Sequence, residues 1–451
     1  MSGLPEGWAL TSIGDVTGKA DQRIPEATET FIYLDIGSIS RDAKEVVSPA
    51  EILGKNAPSR ARQVVKTDDV LVSMTRPNLN AVAMVPRALN DAIASTGFDV
   101  LRSTGVESRW IFSAVRSPDF VQAMSELVQG ALYPAVRPRD IRGHEIPLPP
   151  LAEQKRIADK LDALLARVDA ARARLDRVPA LLKRFRQSVL AAATSGELTE
   201  DWRELARFSR DGGNDVWEEV KLLDVAENLS YGSSAKSEKS GKVPVLRMGN
   251  IQGGKLDWND LVFTSNSDEI EKYRLEAGDF LFNRTNSPEL VGKTAVFDGG
   301  REAIHAGYLI RVRCSRRLLP EFLNYWFCSK YGRDWCWQVK TDGVSQSNIN
   351  AKKLAAFRFR LPGNEEQAEI VRRVEALFTL ADKVQAQYTA ARARIDRLTP
   401  ALLAKAFRGE LVPQDPDDEP ASVLLDRIRA ERAAAPEPAR RGRRTAKAAS
   451  A

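Results

Sequence analysis

Only two histidines occur in the 451 residues, His144 and His305, and they fall at non-equivalent places in the chain. General-base work by either is disfavoured, and a structural place is expected of both. The stretch Gly249-Asn250-Ile251-Gln252-Gly253-Gly254-Lys255 approaches a phosphate-binding loop. It departs from one because Leu256 stands where a Ser or Thr would hold magnesium, and no strong helix follows. Strand, turn and strand is the reading there. Cys314, Cys328 and Cys336 are odd in number and lack a paired CxxC spacing, which disfavours a disulfide framework or a zinc site and fits a reducing cytoplasm. No nucleophile elbow, zinc-protease or zinc-deaminase pattern is present. An amino-methyltransferase Asp/Asn-Pro-Pro-Tyr/Phe loop and a nuclease-type carboxylate–lysine cluster are missing as well. The residues point away from catalysis, and no metal is expected in this chain.

Recognition chemistry is better represented. One loop gathers Ser73, Thr75, Arg76 and Asn78, with Tyr133, Arg137 and Arg139 further along. A second gathers Asn283, Arg284, Thr285 and Asn286, with Ser345, Gln346, Ser347 and Asn348 following. Arginine reads guanine edges bidentately, Asn and Gln read adenine, and Ser or Thr suit phosphates. The same residues are common in turns for purely conformational reasons. What favours function is that the two loops occupy the same place in a repeat and differ there, while the surrounding positions match.

That repeat sets the architecture. Trp8 aligns with Trp217 and Asp15-Val16 with Asp224-Val225. Leu34-Asp35-Ile36-Gly37-Ser38-Ile39 aligns with Leu246-Arg247-Met248-Gly249-Asn250-Ile251, and Asp69-Val70-Leu71 with Asp279-Phe280-Leu281. The offsets run from 209 to 213 residues. Strands are expected at Phe31 to Ile36, Asp69 to Val72, Ala81 to Val85 and His144 to Pro147, by short apolar runs between turn residues. A helix is expected from Phe120 to Val128, capped near Ser117, with an irregular loop opening at Gly130.

Each globule runs into a long amphipathic helix. Ile157, Leu161, Leu164, Val168, Ala171, Leu175 and Val178 alternate in steps of four and three, and Ile370, Val374, Leu377, Ala381, Val384, Tyr388, Ala391, Ile395 and Leu398 do the same. An apolar stripe on a charged helix needs a partner, and two matched seams suggest an intramolecular antiparallel pair. Pro179 should end the first seam and Pro400 the second. A further helix from Ala180 to Ala193 should close at Gly196. The seams extend for about 33 and 43 Å at the helical rise, near the roughly 34 Å of one turn of B-DNA.

The formal charge is +6, and Arg440, Arg441, Arg443, Arg444 and Lys447 against Glu437 place much of it in the last residues. The body is mildly basic, which permits a nucleic-acid partner without requiring one. Hydrophobic content of 43% supports real cores and 28% charged residues suit solvated helices. The start of the chain has no charged-then-apolar signal pattern, and no apolar run nears the ~18 residues of a membrane span. A soluble, intracellular protein without a membrane partner is expected. A short helix from Ala421 to Ala434 and a disordered basic end complete the reading.

The order of these parts, with LPPLAEQKRI and LPGNEEQAEI opening the helical repeats and SGEL and RGEL closing them at Ser195 to Leu198 and Arg408 to Leu411, resembles the specificity subunit of type I restriction-modification systems. The likeness runs from Leu4 to about Arg432; Gly363-Asn364, in place of Pro150-Leu151, is a minor departure. It implies an α+β fold with a pseudo-two-fold internal repeat. Two mixed α/β target-recognition globules (residues 1–147 and 201–360) would be separated by spacer helices (148–200 and 361–412) forming an antiparallel coiled coil, with a tail at 413–451. It implies that each globule reads half of a bipartite double-stranded DNA target and that the helix pair sets the unread spacer. It also implies docking of two modification subunits, which use S-adenosylmethionine, and of two restriction subunits, which use ATP and Mg, with no cofactor bound by this chain itself. A stand-alone DNA-binding protein and a coiled-coil adaptor are the alternatives. Helical faces at Arg184 to Leu190 and Leu402 to Phe407 are candidates for modification-subunit contact.

Overall fold

The computed structural model describes residues 3–128, 132–209 and 217–434. Gly130 and the basic residues beyond Ala434, for which a loop and disorder are expected, lie outside the described residues. The chain divides into two compact units, one made of Met1–Leu175 with Ala391–Ala451, the other of Asp176–Ala390. These units cut across the sequence repeat, because each contains the beginning of one helical repeat and the end of another.

In the first unit, strand Ala9–Ser12 pairs antiparallel with Glu145–Leu148, the strand that leads into the first long helix. A four-stranded antiparallel sheet has the order Val82–Met84, Val70–Ser73, Phe98–Ser103, Thr17–Gly18. A five-stranded sheet includes the parallel pair Ile93–Ser95 and Thr30–Leu34. The strand expected to reach Ile36 stops at Leu34, because the Asp35 carboxylate accepts from the Ser38 amide at 2.9 Å and caps a 3-10 turn, Ile36–Ser38. The helix Pro118–Glu126 starts where expected, with Ser117 Oγ accepting from the Phe120 amide.

The second unit repeats this plan. Glu218–Lys221 pairs with Arg358–Leu361. A four-stranded antiparallel sheet has the order Ala226–Tyr231, Leu309–Cys314, Phe280–Asn283, Thr294–Val296. A smaller sheet again holds one parallel pair, Val243–Leu246 with Ile304–His305. The glycine-rich stretch is a hairpin of Ile251–Gln252 and Lys255–Leu256, turned by Gly253 and Gly254 at φ +59 and +83. The backbone therefore forms no phosphate-binding strand–helix turn.

The helices are Leu151–Leu175, Val178–Ser195 and Asn364–Phe407. Pro179 sits in the first turn of the second of these, and Gly196 at φ +89 closes it. Pro400 does not end the third helix, which runs on to Phe407. An interior proline costs about 3 kcal/mol, and here full burial of Leu403 and Ala406 in the first unit's core offsets it.

The helices pair antiparallel as expected, but each seam packs mainly against residues outside the other seam. Ile157, Leu161 and Val168 are buried, and Ile157 and Leu161 share the first unit's core with Leu403 and Ala406, beyond Pro400. Ile370 and Val374 are buried with Val189, Leu190 and Ala193 of the short helix. Arg186 reaches Asp382 at 2.7 Å while Thr199, further along, reaches Glu366 at 2.7 Å, so residue numbers rise on one side of the pair as they fall on the other. Arg172 meets Asp396 at 3.6 Å in the same sense. Both pairs are antiparallel. Leu164, Leu175, Leu377 and Tyr388 are only half-buried and Val384 is exposed, whereas Leu165, outside the seam, is buried. Burial of the seam is continuous beside the heads, at Ile157, Leu161, Ile370 and Val374, and intermittent beyond them, at Val168 and Ala381.

The faces proposed from sequence for partner contact are corrected in part. Leu402, Leu403, Ala406 and Phe407 belong to the first unit's own core, with Phe407 4.4 Å from the Trp110 ring. Val189 and Leu190 are likewise internal. The tail helix Ala421–Ala434 is present and buries Ala421, Leu424, Leu425 and Ile428 on the first head. A side chain at Gly105 would meet Ile428 at 2.9 Å, so this glycine (φ +73) makes room for the helix.

Candidate nucleic-acid interface

Each head is pinned to its long helix by the Glu-Gln pair that opens the helical repeat. Trp8 Nε1 donates to Glu153 at 2.9 Å, and Trp217 Nε1 to Glu366 at 3.1 Å. Gln154 accepts from the Glu107 amide and donates to the Pro149 carbonyl; Gln367 accepts from the Leu319 amide and donates to the Pro362 carbonyl. A buried amide that uses both its ends fixes the angle between strand exit and helix. The two carboxylates differ. Glu366 also accepts from Thr199 at 2.7 Å and pairs with Arg203, whereas Oε1 of Glu153 is buried without a partner. Burial pushes the Glu153 carboxyl up, against the pull of Trp8 and Arg156.

A second repeated clamp sits under each recognition loop. Asp69 takes Arg102 at 3.0 and 2.9 Å through its two oxygens and caps the Lys66 amide. Asp279 takes Arg313 at 3.1 Å and caps the Glu276 amide. These hold the turn ahead of the central strand, which then delivers the loop residues.

In the first head, the chain leaves strand Val70–Ser73 with Ser73 buried, its Oγ turned back to the Thr75 carbonyl at 3.2 Å. Ser73 is thus scaffold. Thr75 bridges to Ala135, the Arg76 amide donates to the Pro134 carbonyl at 2.8 Å, and the Val136 amide to Met74 at 2.9 Å. These bonds bring the two separated sequence segments together. Thr75, Arg76, Asn78, Tyr133, Arg137 and Arg139 are all exposed. Arg76 and Asn80 are both left-handed, at φ 49 and 44, a strained backbone for residues with side chains. Asn80 is held there by Lys44, whose ammonium reaches its side-chain oxygen at 3.0 Å, while its own amide donates to Val115 at 2.8 Å. Burial and the nearby Arg116 bring the Lys44 ammonium down to about 8.

The second head presents the same geometry with other chemistry. Thr285–Asn286 pairs as a strand with Ser347–Asn348, which turns through a hairpin against Thr341–Asp342. Asn348 donates to Thr285 Oγ1 at 2.7 Å, and the buried Ser347 hydroxyl donates to Asp342. Asn283 is fully buried, with neither end of its amide meeting a protein partner. Arg284 is half-buried. Its guanidinium lies 4.7 Å over the Tyr231 ring and reaches the Gly307 carbonyl and the Asn348 side chain at 3.4 Å. Asn286 is half-buried, and Ser345 and Gln346 are exposed at the hairpin tip.

Sequence reading missed Lys44, Tyr231, Tyr308 and Trp337. Tyr231 and Tyr308 are exposed beside Arg284, whose amide donates to the Tyr308 carbonyl at 3.0 Å. Trp337 is exposed on the helix entering the hairpin, with the Lys340 ammonium 4.2 Å over its ring. Its only local signal was the Trp335-Cys336-Trp337 run on a helix that ends at Lys340. The other two aromatics needed the strand pairing of Tyr231 with Ile310 to join the loop.

Neither histidine is placed for acid–base chemistry. His305 is fully buried, with Nδ1 3.3 Å from the Tyr273 carbonyl, and burial brings it down to about 4. His144 stands edge-on to Phe120 and is also lowered by burial. Burial pushes the Cys314 and Cys336 thiols up to about 12. No group of three or more metal-ligating side chains occurs among the described residues.

The chain matches the sequence profile of the type I restriction modification DNA specificity domain twice, at residues 5–180 and 214–389. It is similar to the type I restriction enzyme EcoKI specificity subunit of Escherichia coli K12, 34% identical over 96% of this chain and 97% of the relative. Identity to the StySPI specificity subunit of Salmonella potsdam is 32%, over 95% and 96% of the two chains. Among solved structures, a chain from a study of complex assembly and conformational transition of the type I R-M system superposes with a TM-score of 0.73. It is 28% identical, over 91% of this chain and 100% of that one. The HsdS subunit of Thermoanaerobacter tengcongensis gives 0.63 at 28% identity, over 90% and 98%.

Proposed function

This chain belongs to the type I restriction modification DNA specificity family, and on that premise we propose that its two heads each read one half of a bipartite, asymmetric double-stranded DNA target. The observation that carries the reading is the matched frame under unmatched loops. Asp69 and Asp279, Trp8 and Trp217, and Gln154 and Gln367 repeat, while the loops above them present Thr75, Arg76 and Asn78 in one head and Arg284, Thr285 and Asn286 in the other. Residues 1–147 and 201–360 are the target-recognition domains in this reading. Residues 148–200 and 361–412 set the length of the unread gap, and 413–451 are accessory.

The chain's part is binding. Exposed Arg, Asn and Gln side chains on a fixed backbone meet base edges, and Ser, Thr and Lys meet phosphates. Methyl transfer belongs to two modification subunits carrying S-adenosylmethionine, and cleavage to restriction subunits using ATP and Mg. A groove of about 940 Å³ in the second unit, lined among others by Lys183, Arg186, Gln187, Lys255 and Phe378, is the face we assign to a modification subunit. The bacterial or archaeal cytoplasm is the setting.

The test is adenine-methylation mapping of host DNA with and without this gene, in the presence of the neighbouring methyltransferase. A gene-dependent motif of two short specified ends around a fixed gap is expected. No gene-dependent motif would leave the regulator or adaptor readings. Deleting one heptad from each long helical repeat should shorten the gap; an intact fold with an unchanged gap would remove the ruler role.

A further inference from the structure

Three large apolar side chains are more exposed than any others described: Leu132 and Tyr133 at 87% and Val344 at 111%. All three lie just ahead of the segment that pairs with the recognition loop of their head, Ala135 in the first and Ser347–Asn348 in the second. Thr75 bridges to Ala135, and Thr285 pairs with Asn348, which places Tyr133 level with Gln346 and Val344 one step before Leu132.

We propose, resting on the reading of each head as a DNA reader, that this turn is an apolar wedge entering the base stack of its half-site, through Leu132 and Tyr133 in the first head and Val344 in the second. A scattered exposed leucine needs no explanation. Three strongly exposed apolar groups in corresponding loops of the two heads, beside exposed Arg and Gln side chains, do. They gain nothing in the free protein, since none has a neighbour to cover it, and a polar residue would serve a turn equally well. Their flanks suit DNA. Exposed Arg76, Arg137 and Arg139 lie on either side of the first tip in the chain's pairing, and exposed Lys352 follows the second. Apolar side chains inserted between base pairs unstack a step and bend the duplex, at a cost of a few kcal/mol recovered through contacts made by the bent DNA.

A wedge must be stiff, and each tip is anchored where the chain leaves it for the recognition loop. In the first head the Arg76 amide donates to Pro134 at 2.8 Å, directly after Tyr133. In the second, the Gly343 amide donates to the Gln346 carbonyl at 2.8 Å, and Asp342 below the tip holds both Lys340 and Ser347. Such preorganisation lowers the entropy lost on binding. The tips are unequal: a leucine and a tyrosine against one valine. The first half-site is therefore the more distorted.

The experiment uses the full chain with its modification subunits, on duplexes of the mapped target carrying 2-aminopurine at successive positions other than the methylated adenine. Emission should rise at one step in each half-site, more in the first. L132S/Y133S should remove the first rise alone and V344S the second alone, and the variant combining all three substitutions should bind its target about tenfold more weakly. Emission unchanged by the substitutions overturns the wedge, as does absence of any unstacked step. Loss of modification-subunit association with stacking unaltered would make the tips a protein contact and also overturn it. If the unsubstituted complex fails to prefer the target over a random duplex, the underlying reading falls instead.

Discussion

Arg76 of the first head and Arg284 of the second lie in equivalent loops, and their surroundings are opposite. Arg76 is exposed on a left-handed residue, its backbone bound and its guanidinium free to meet a ligand. Arg284 is half-buried over Tyr231 and already donates to Gly307 and Asn348. The same contrast recurs deeper in the heads, where Glu366 has three partners and Glu153 has one. Duplication kept the bonds that orient the heads and released those that face outward. The lesson is that residue type alone does not fix a setting: of two arginines in matching loops, one stands exposed and one is held against the head.

The largest effects should come from breaking the unequal carboxylates. Glu366→Ala leaves Trp217, Thr199 and Arg203 without their acceptor, and should destabilise the second unit by about 3 kcal/mol in chemical unfolding. Glu153→Gln keeps an acceptor for Trp8 and removes a buried charge, so stability of the first unit should hold or rise. Equal losses in the two would show that the heads are clamped alike.

Acidity should separate the heads nearly as strongly. His305 has its folded value lowered from 6.5 to about 4, so the unfolded chain binds the proton more tightly. Stability is then full above pH 6.5 and falls as pH drops toward 4, by about 3 kcal/mol in all. Hydrogen exchange at the Ala306 amide, which donates to Leu246, should accelerate across that window in the native chain and much less in His305→Asn. An unchanged acid dependence in that variant would place the sensitivity elsewhere.

Discrimination between target and random duplex sharpens the loop comparison. Arg76→Ala should lose about 1–3 kcal/mol of it if the guanidinium meets a base, with thermal stability unchanged. Arg284→Ala should lower stability together with binding, by about 1 kcal/mol for the stacked cation. Target binding unaffected in Arg76→Ala would reduce that residue to scaffold. The smallest change is expected from Lys44→Met, which frees Asn80. About 1 kcal/mol of discrimination should go from the first half-site and none from the second, read by competition with half-site variants.

Much of this arrangement was open to inspection in the residues alone. Local rules placed the helix cap at Ser117, the helix end at Gly196, the break at Pro179 and the tail helix Ala421–Ala434. The loop pairs were legible only as composition, because what separates Ser73, buried and turned inward, from exposed Thr75 is the alternation of a strand end against its neighbours. Tyr231 and Tyr308 were invisible as partners of Arg284, being 53 and 24 residues from it in the chain.

The sequence by itself determined the duplication, the heptad periods and the place of the loops in the repeat, since these depend on covalent spacing and on helix and strand geometry. Only the tertiary structure decided what each seam packs against. Two equal apolar stripes can pair in several ways, and periodicity does not distinguish them. Burial does: Leu403 and Ala406 joined the first head's core despite Pro400, and Val189 and Leu190 joined the second's. Long-range burial outweighed a local helix breaker because the proline penalty is fixed and small, whereas the apolar area removed from water grows with every side chain that finds the core.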